Sequence, residues 1–255
     1  MNYNIFLLAH QDDEIGIYNH IEKTILENKK ILIIYLTNGS IKKKIDKNIL
    51  FSRDIESLKV LKKLGVKNEE IIFLGRKLEN YVYKLHINLN NTYEHLLNLL
   101  VSLPGEITIY THSNEGGNID HDSCFFLTKK LINNISKVKK SYQFSLYNSN
   151  NMPLKLFNVL HPLKDNGPIL KFKINFKQKI KYSKLIFYYL SQIKIWIGLY
   201  PILIIKIFLN NYGSLQEIEK NHEIKKPHKG LLWYEKRKFI LFDDFKNIVE
   251  KFFKN

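Results

Sequence analysis

The stretch YNIFLLAHQDDE, residues 3–14, runs from an apolar segment straight into a histidine and three acids. Residues 3–9 show no helical period and suit a strand buried on both faces of a parallel sheet. Charges at the end of such a strand need counter-charge, a metal ion or solvent, because an isolated buried charge is expensive. The reading is therefore either a metal site or a polar, solvated turn at a helix start.

The segments that follow decide the fold class. KILIIYLTNG (30–39), EIIFLG (70–75) and EITIYTH (106–112) read as further strands, and YQFSLYN (142–148) as a fifth. Between them, residues 15–28, 52–66, 92–103 and 122–135 carry apolar side chains at helical spacing. In the second of these helices Ser52 is placed to cap, Asp54 and Glu56 fall in the first turn, and Gly65 closes the end. Strands alternating with helices imply a doubly wound, mainly parallel, Rossmann-like α/β sheet. Such sheets bind ligands outside the carboxyl ends of their strands. HQDDE and THSNEGGNIDHD (111–122) both lie at such ends, so two polar clusters about 100 residues apart are expected to meet on one edge.

Composition bounds the rest. With 45% hydrophobic and 13% aromatic residues the chain can bury a sizeable core and is not disordered. Its one cysteine, Cys124, excludes an internal disulfide framework, and with no signal peptide at the N-terminus points to the cytoplasm. A net charge of +16 permits an anionic partner, although Lys, Asn and Ile are abundant throughout, as codon bias would produce. No basic run is interleaved with aromatics, so nucleic acid is not an expected partner, and the lysine cluster at 41–47 reads as a solvated loop. Residues 1–150 form the expected core, and 151–255 a C-terminal extension of strand and helix packed on it within the same domain. Residues 179–209 are long and apolar but interrupted by Pro201, which breaks or kinks a helix. They suit a helix packed on the core, or a peripheral contact at the inner membrane face.

His10 and Asp13 can turn toward one point, and His121 can join them from the opposing loop. Two histidines and a carboxylate form a standard catalytic zinc set, which activates a water and polarises a carbonyl. Asp12 is placed to act as general base, and Glu14 to support the ligands or cap the following helix. The remaining histidines (20, 86, 95, 161, 222 and 228) lack a ligand partner in sequence and read as structural or surface groups.

AHQDDE resembles the AHPDDE motif of the LmbE-like, PIG-L-type N-acetylglucosaminyl de-N-acetylases. SRDIESLKVLKKLGV (52–66) with IIFLG resembles their Arg-x-x-Glu helix and the strand after it, and YTHSNEGGNIDHD their third motif. The likeness covers roughly residues 3–150; KYSKLIFYYLSQIKIW and GLLWYEKR (230–237) echo bacterial members only faintly. It implies His10, Asp13 and His121 as ligands of one Zn2+ (another divalent ion being able to substitute), Asp12 as base, and Arg53 as a contact to the sugar or its phosphate.

Two departures stand out. Gln11 replaces the usual proline, which should loosen the turn slightly. Asn118 stands where the family carries a histidine; it can donate to an oxyanion but cannot be a general acid. Asp120 then lacks the partner it would orient, and either Asp12 moves the proton in both steps, or His112 stands in, or activity is weak or absent. The expected function is a metal-dependent hydrolase removing acetate from an N-acetylated, possibly nucleotide- or lipid-linked sugar in carbohydrate biosynthesis. The alternative is a non-catalytic sugar- or metal-binding descendant. A nucleotide-binding Rossmann protein is disfavoured, because the first strand leads into acids and not into a glycine-rich turn.

Overall fold

The computed structural model describes residues 2–41, 47–154, 156–220 and 223–255. His222 and residues 42–46 of the lysine-rich loop lie outside them. Strands β1 (Asn2–Leu8) and β2 (Lys30–Tyr35) flank helix α1 (Tyr18–Leu26). Helix α2 (Lys47–Leu64), the short β3 (Ile71–Ile72), α3 (Leu74–Lys77) and α4 (Leu89–Ser102) lead to β4 (Glu106–His112). Then come α5 (Ile119–Asn134), β5 (Val138–Phe144) and a small hairpin of β6 (Tyr147–Asn148) with β7 (Asn158–Val159). The C-terminal part contributes β8 (Ile169–Lys173), α6 (Phe176–Ile186), α7 (Ile193–Leu209), β9 (Tyr212–Glu217), α8 (Trp233–Lys236) and α9 (Phe242–Lys254).

The main sheet has the order β3-β2-β1-β4-β5-β9-β8. Its first five strands pair in parallel, while β9 and β8 add on antiparallel at the β5 side. The chain winds outward from β1 to β3 and then returns to lay β4 on the other side of β1. That reversal creates a crevice at the carboxyl ends of β1 and β4, the switch point at which open α/β sheets bind ligands. Ile5, Phe6, Leu7 and Leu8 are wholly buried, as a central strand covered on both faces requires. Helix α5 is buried on nearly every side, with α9 packed beyond it. Phe242, Phe245, Val249 and Phe252 of α9 recur at spacings of three and four and close that layer. Each contributes roughly 1.5–3 kcal/mol through the apolar surface it buries.

Several boundaries differ from the sequence reading. Helix α2 begins at Lys47, so Ser52 does not cap it and Arg53, Asp54 and Glu56 lie beyond its first turn. The fifth strand starts at Val138 and ends at Phe144; two exposed lysines, Lys139 and Lys140, hid its apolar alternation. Pro201 stands inside a continuous α7 and does not end it.

His20 lies within the fold, 5% exposed, its ring edge-on to Phe172 at 4.4 Å. Burial, aided by the nearby Lys23, lowers its pKa from 6.5 to about 4. The unfolded chain therefore takes up a proton below pH 6.5 that the folded chain refuses. Stability is complete above that pH and is lost as the pH falls toward 4, by roughly 3 kcal/mol in all. Urea denaturation at pH 7 and pH 5 should show a smaller loss for His20→Phe, which keeps the ring without the titration. Equal losses in the two proteins would refute the assignment.

Candidate metal centre

The β1–β4 register pairs Leu7 with Thr111, so Ala9 and His10 leave the sheet beside His112. The Ala9 backbone N–H donates to His112 Nε2 at 3.2 Å and ties the two exits together. Helix α5 starts a few residues later, capped by Asn118, whose Oδ1 accepts the Asp120 N–H at 2.9 Å. His121 therefore projects from the first turn of α5. The approach to it depends on Gly117, where a Cβ would lie 1.9 Å from the Tyr147 carbonyl oxygen. No side chain fits there.

One candidate ligand atom from each of His10, Asp13 and His121 falls within 4.8 Å of the others, and all three residues are buried. His10 Nδ1 is 3.3 Å from Asp13 Oδ2, and His121 Nε2 is 3.2 Å from Asp13 Oδ1. Despite that proximity His121 Nε2 is buried without a hydrogen bond. A ring nitrogen so placed, 3.2 Å from a carboxylate oxygen yet without a well-aligned hydrogen bond, suits a cation between them. The other nitrogen of His10, Nε2, meets Asp120 Oδ2 at 2.9 Å, and Asp120 is itself held by the backbone N–H groups of Tyr83 (2.6 Å) and Leu85 (3.0 Å). A carboxylate behind a histidine fixes the ring and its tautomer for metal binding. The donor set therefore fits a zinc-sized divalent ion.

The electrostatics agree. Burial opposes charge on His10, but Asp13 and Asp120 outweigh it and raise its pKa to about 10. Burial likewise opposes the Asp13 carboxylate, yet His121, His112 and His10 hold it well below the usual range. Burial, with His112 alongside, lowers His121 to about 4 and keeps it neutral, the form that can ligate. The cavity attracts one positive charge, and in the absence of an ion a proton on His10 supplies it.

Asp12 stands beside this cluster without belonging to it. Its backbone has φ 146°, a conformation rare outside glycine and one whose strain is of order 1–3 kcal/mol. That turn parts two adjacent carboxylates, Asp13 inward to the histidines and Asp12 toward Arg53 Nη2, 3.2 Å away. Glu14 Oε2 accepts the Asp12 N–H at 3.1 Å and so holds the turn. Burial pushes the Asp12 pKa up to about 7, with Arg53 pulling it down. A carboxylate poised near neutrality can both take and return a proton.

Other expected site residues take different places. Arg53 is 7% exposed and spends its guanidinium on the carbonyls of Gly39 (3.1 Å) and Gln11 (3.2 Å) as well as on Asp12. These contacts brace Asp12, and the Arg53 Nε is left buried without a hydrogen-bond partner. His112 has no exposed surface, stacks face to face on His121 at 3.9 Å and places Nε2 3.1 Å from Asp13 Oδ2. Gln11 does not loosen its turn, because its side chain donates to Asp54 at 3.0 Å and anchors the loop to α2. Asp120 has the partner that the sequence left open, His10. Asn118 caps α5 with its oxygen, and its side chain also bonds the Tyr147 phenol.

Two residues of the site escaped the sequence reading. The Tyr147 ring lies edge-on to His121 at 5.4 Å. The Tyr189 hydroxyl donates to Glu14 Oε1 at 2.6 Å. Tyr147 follows a strand of the parallel sheet, so the carboxyl-end rule could have found it. Nothing local marks Tyr189, which comes from 175 residues away.

Fold and site together define a class: a doubly wound α/β protein with a candidate metal centre at the switch point of its sheet. The family model of PIG-L, the GlcNAc-PI de-N-acetylases, matches residues 5–132, half of the chain, and the protein belongs to that family. No curated protein matches its sequence significantly. Among solved structures it is similar to the zinc-inhibited form of teicoplanin deacetylase Orf2, with a TM-score of 0.61 and 11% identity over 84% of this chain and 97% of that one. The A40926 pseudoaglycone deacetylase Dbv21 gives a TM-score of 0.61 and 13% identity over 86% and 98%. The N,N'-diacetylchitobiose deacetylase of Pyrococcus horikoshii gives 0.58 and 18% over 85% and 83%. At these identities the likeness establishes an LmbE-like fold.

Proposed function

We propose that the protein is a zinc-dependent N-deacetylase that hydrolyses the acetamide of an N-acetylated amino sugar, and that it works in the cytoplasm in carbohydrate biosynthesis. The observation that carries this reading is the convergence of His10, Asp13 and His121 within 4.8 Å, with the Asp12 carboxylate beside that cluster and outside it. Membership of a de-N-acetylase family supports the reaction. Structural neighbours described as deacetylases of N,N'-diacetylchitobiose, of teicoplanin and of the A40926 pseudoaglycone support an amino-sugar substrate.

When bound, the ion supplies Lewis acidity, activating a water and polarising the acetamide carbonyl. The protein's residues do the rest. Asp13 and the two histidines orient the ion, and Asp120 fixes the His10 ring. Asp12, braced by Arg53 and Glu14, takes a proton from the attacking water. Asn118 has no acidic proton, so Asp12 also returns that proton to the departing sugar amine. A high positive charge suits a sugar carried on a nucleotide or a lipid phosphate.

Metal analysis combined with an amine-release assay tests the proposal. The expected outcome is one zinc per chain, and amine and acetate released in equal amounts from at least one of free, nucleotide-linked and lipid-linked N-acetylglucosamine. Full occupancy with no release from the whole panel would instead make the chain a sugar- or metal-binding descendant. A metal-free, metal-refusing protein would end the reading altogether.

A further inference from the structure

Of twenty large apolar residues exposed among the described residues, nine lie between Phe176 and Tyr212. On α7 the inward face is formed by Leu199, Leu203 and Ile207, which pack on the core. The outward face is apolar too: Ile202, Ile205 and Leu209 recur at three and four residues and are 42%, 55% and 73% exposed. Phe208 extends the stripe and touches Phe176 of α6 at 6.2 Å between ring centres. A surface helix ordinarily turns charged or polar groups to water on that side.

The segment that carries the stripe has charges of one sign, although Lys181 of α6 is paired with Glu22 of α1. From residue 166 to residue 216 the sequence holds eight lysines and no aspartate or glutamate. Lys173, Lys177 and Lys184 are exposed, and none has an acidic partner among the described residues. No helix among the described residues is long and apolar enough to cross a membrane. An apolar stripe edged by unpaired lysines has the composition of a helix that lies in a lipid–water interface. A protein partner matched to this face would need acids around an apolar core; an anionic lipid leaflet supplies both chemistries as one continuous surface.

We infer that α6 and α7 form a membrane-docking surface that holds the protein on an anionic lipid leaflet. The connector between the two helices is bonded to the site region, through Tyr189 to Glu14 and through the Ser191 N–H and hydroxyl to Glu56 of α2 at 2.8 and 2.6 Å. Docking through this face therefore anchors the loop that carries Asp12 and Asp13 near the lipid headgroups.

Vesicle co-sedimentation of the full chain tests the inference without any assay of catalysis. The protein should partition onto phosphatidylglycerol-containing vesicles about tenfold more strongly than onto pure phosphatidylcholine, and less so in high salt. The double variant Ile205→Glu/Leu209→Glu should lose about tenfold in partitioning, with an unchanged circular dichroism spectrum and metal content. Lys177→Gln/Lys184→Gln should lose the preference for the anionic lipid. A folded wild-type protein that stays in the supernatant with every vesicle overturns the inference. So does self-association through this face, seen as a concentration-dependent dimer that the glutamate variant abolishes, without vesicle binding.

Discussion

Asp12→Asn should lower deacetylase turnover about a thousandfold, within the range by which a positioned general base accelerates proton transfer. The substitution keeps an oxygen for Arg53 to bond and removes only the capacity to carry a proton. Metal content should not change, because Asp12 is outside the ligand group. Nor should the protein lose stability: asparagine tolerates positive φ better than most residues, and Asp12 sits at 146°. Steady-state rates on the best substrate of the panel, set beside metal analysis and thermal melts, check the three statements together. Turnover within tenfold of wild type would remove Asp12 from the chemistry. Lost metal would mean that it belongs to the ligand set.

Asp13→Ala should have the complementary effect, on affinity and on the fold. Asp13 accepts the His10 N–H at 2.6 Å and places its oxygens 3.1–3.3 Å from three imidazoles. Its removal takes from His10 one of two carboxylate partners, Asp120 being the other, and from His112 and His121 the buried oxygens they face. Breaking a buried charge network from one side costs about 3–5 kcal/mol, so the metal-free variant should unfold at visibly lower urea. Zinc affinity, measured against a chelator, should fall at least about a hundredfold. A variant that keeps stoichiometric zinc and the wild-type urea midpoint would show that the carboxylate neither ligates nor balances the cluster.

The sequence announced the sheet where strands are buried on both faces. Residues 3–9 form an apolar run that admits little else, residues 106–112 are rich in β-branched residues after the Pro104-Gly105 break, and the rule about carboxyl ends then brought His10, Asp13 and His121 to one edge. Arg53 was harder to read. Its role depends on the carbonyls of Gly39 and Gln11, which reach it only because the turn after β2 and the turn after β1 fold toward each other. A cation in a helix carries no mark of whether it faces ligand or backbone. The antiparallel β9 was hidden for a related reason: it pairs at one end of the sheet, where partly exposed side chains blur alternation. At Pro201, of the two expected outcomes, a break is not what occurs: α7 runs on through it, packed along one face by Leu199, Leu203 and Ile207.

The partnership of His10 with Asp120 spans 110 residues. β1 leaves the ribosome early, but the residues that complete its loop arrive with the first turn of α5. Until then the acids of HQDDE have no imidazole but their own to answer them. Closing so long a loop is slow, and contacts of this separation form late. The nascent chain should therefore acquire zinc only after β4 has docked against β1, so that metal loading reports the completion of the core and a chain stalled before residue 121 is synthesised without a site to load.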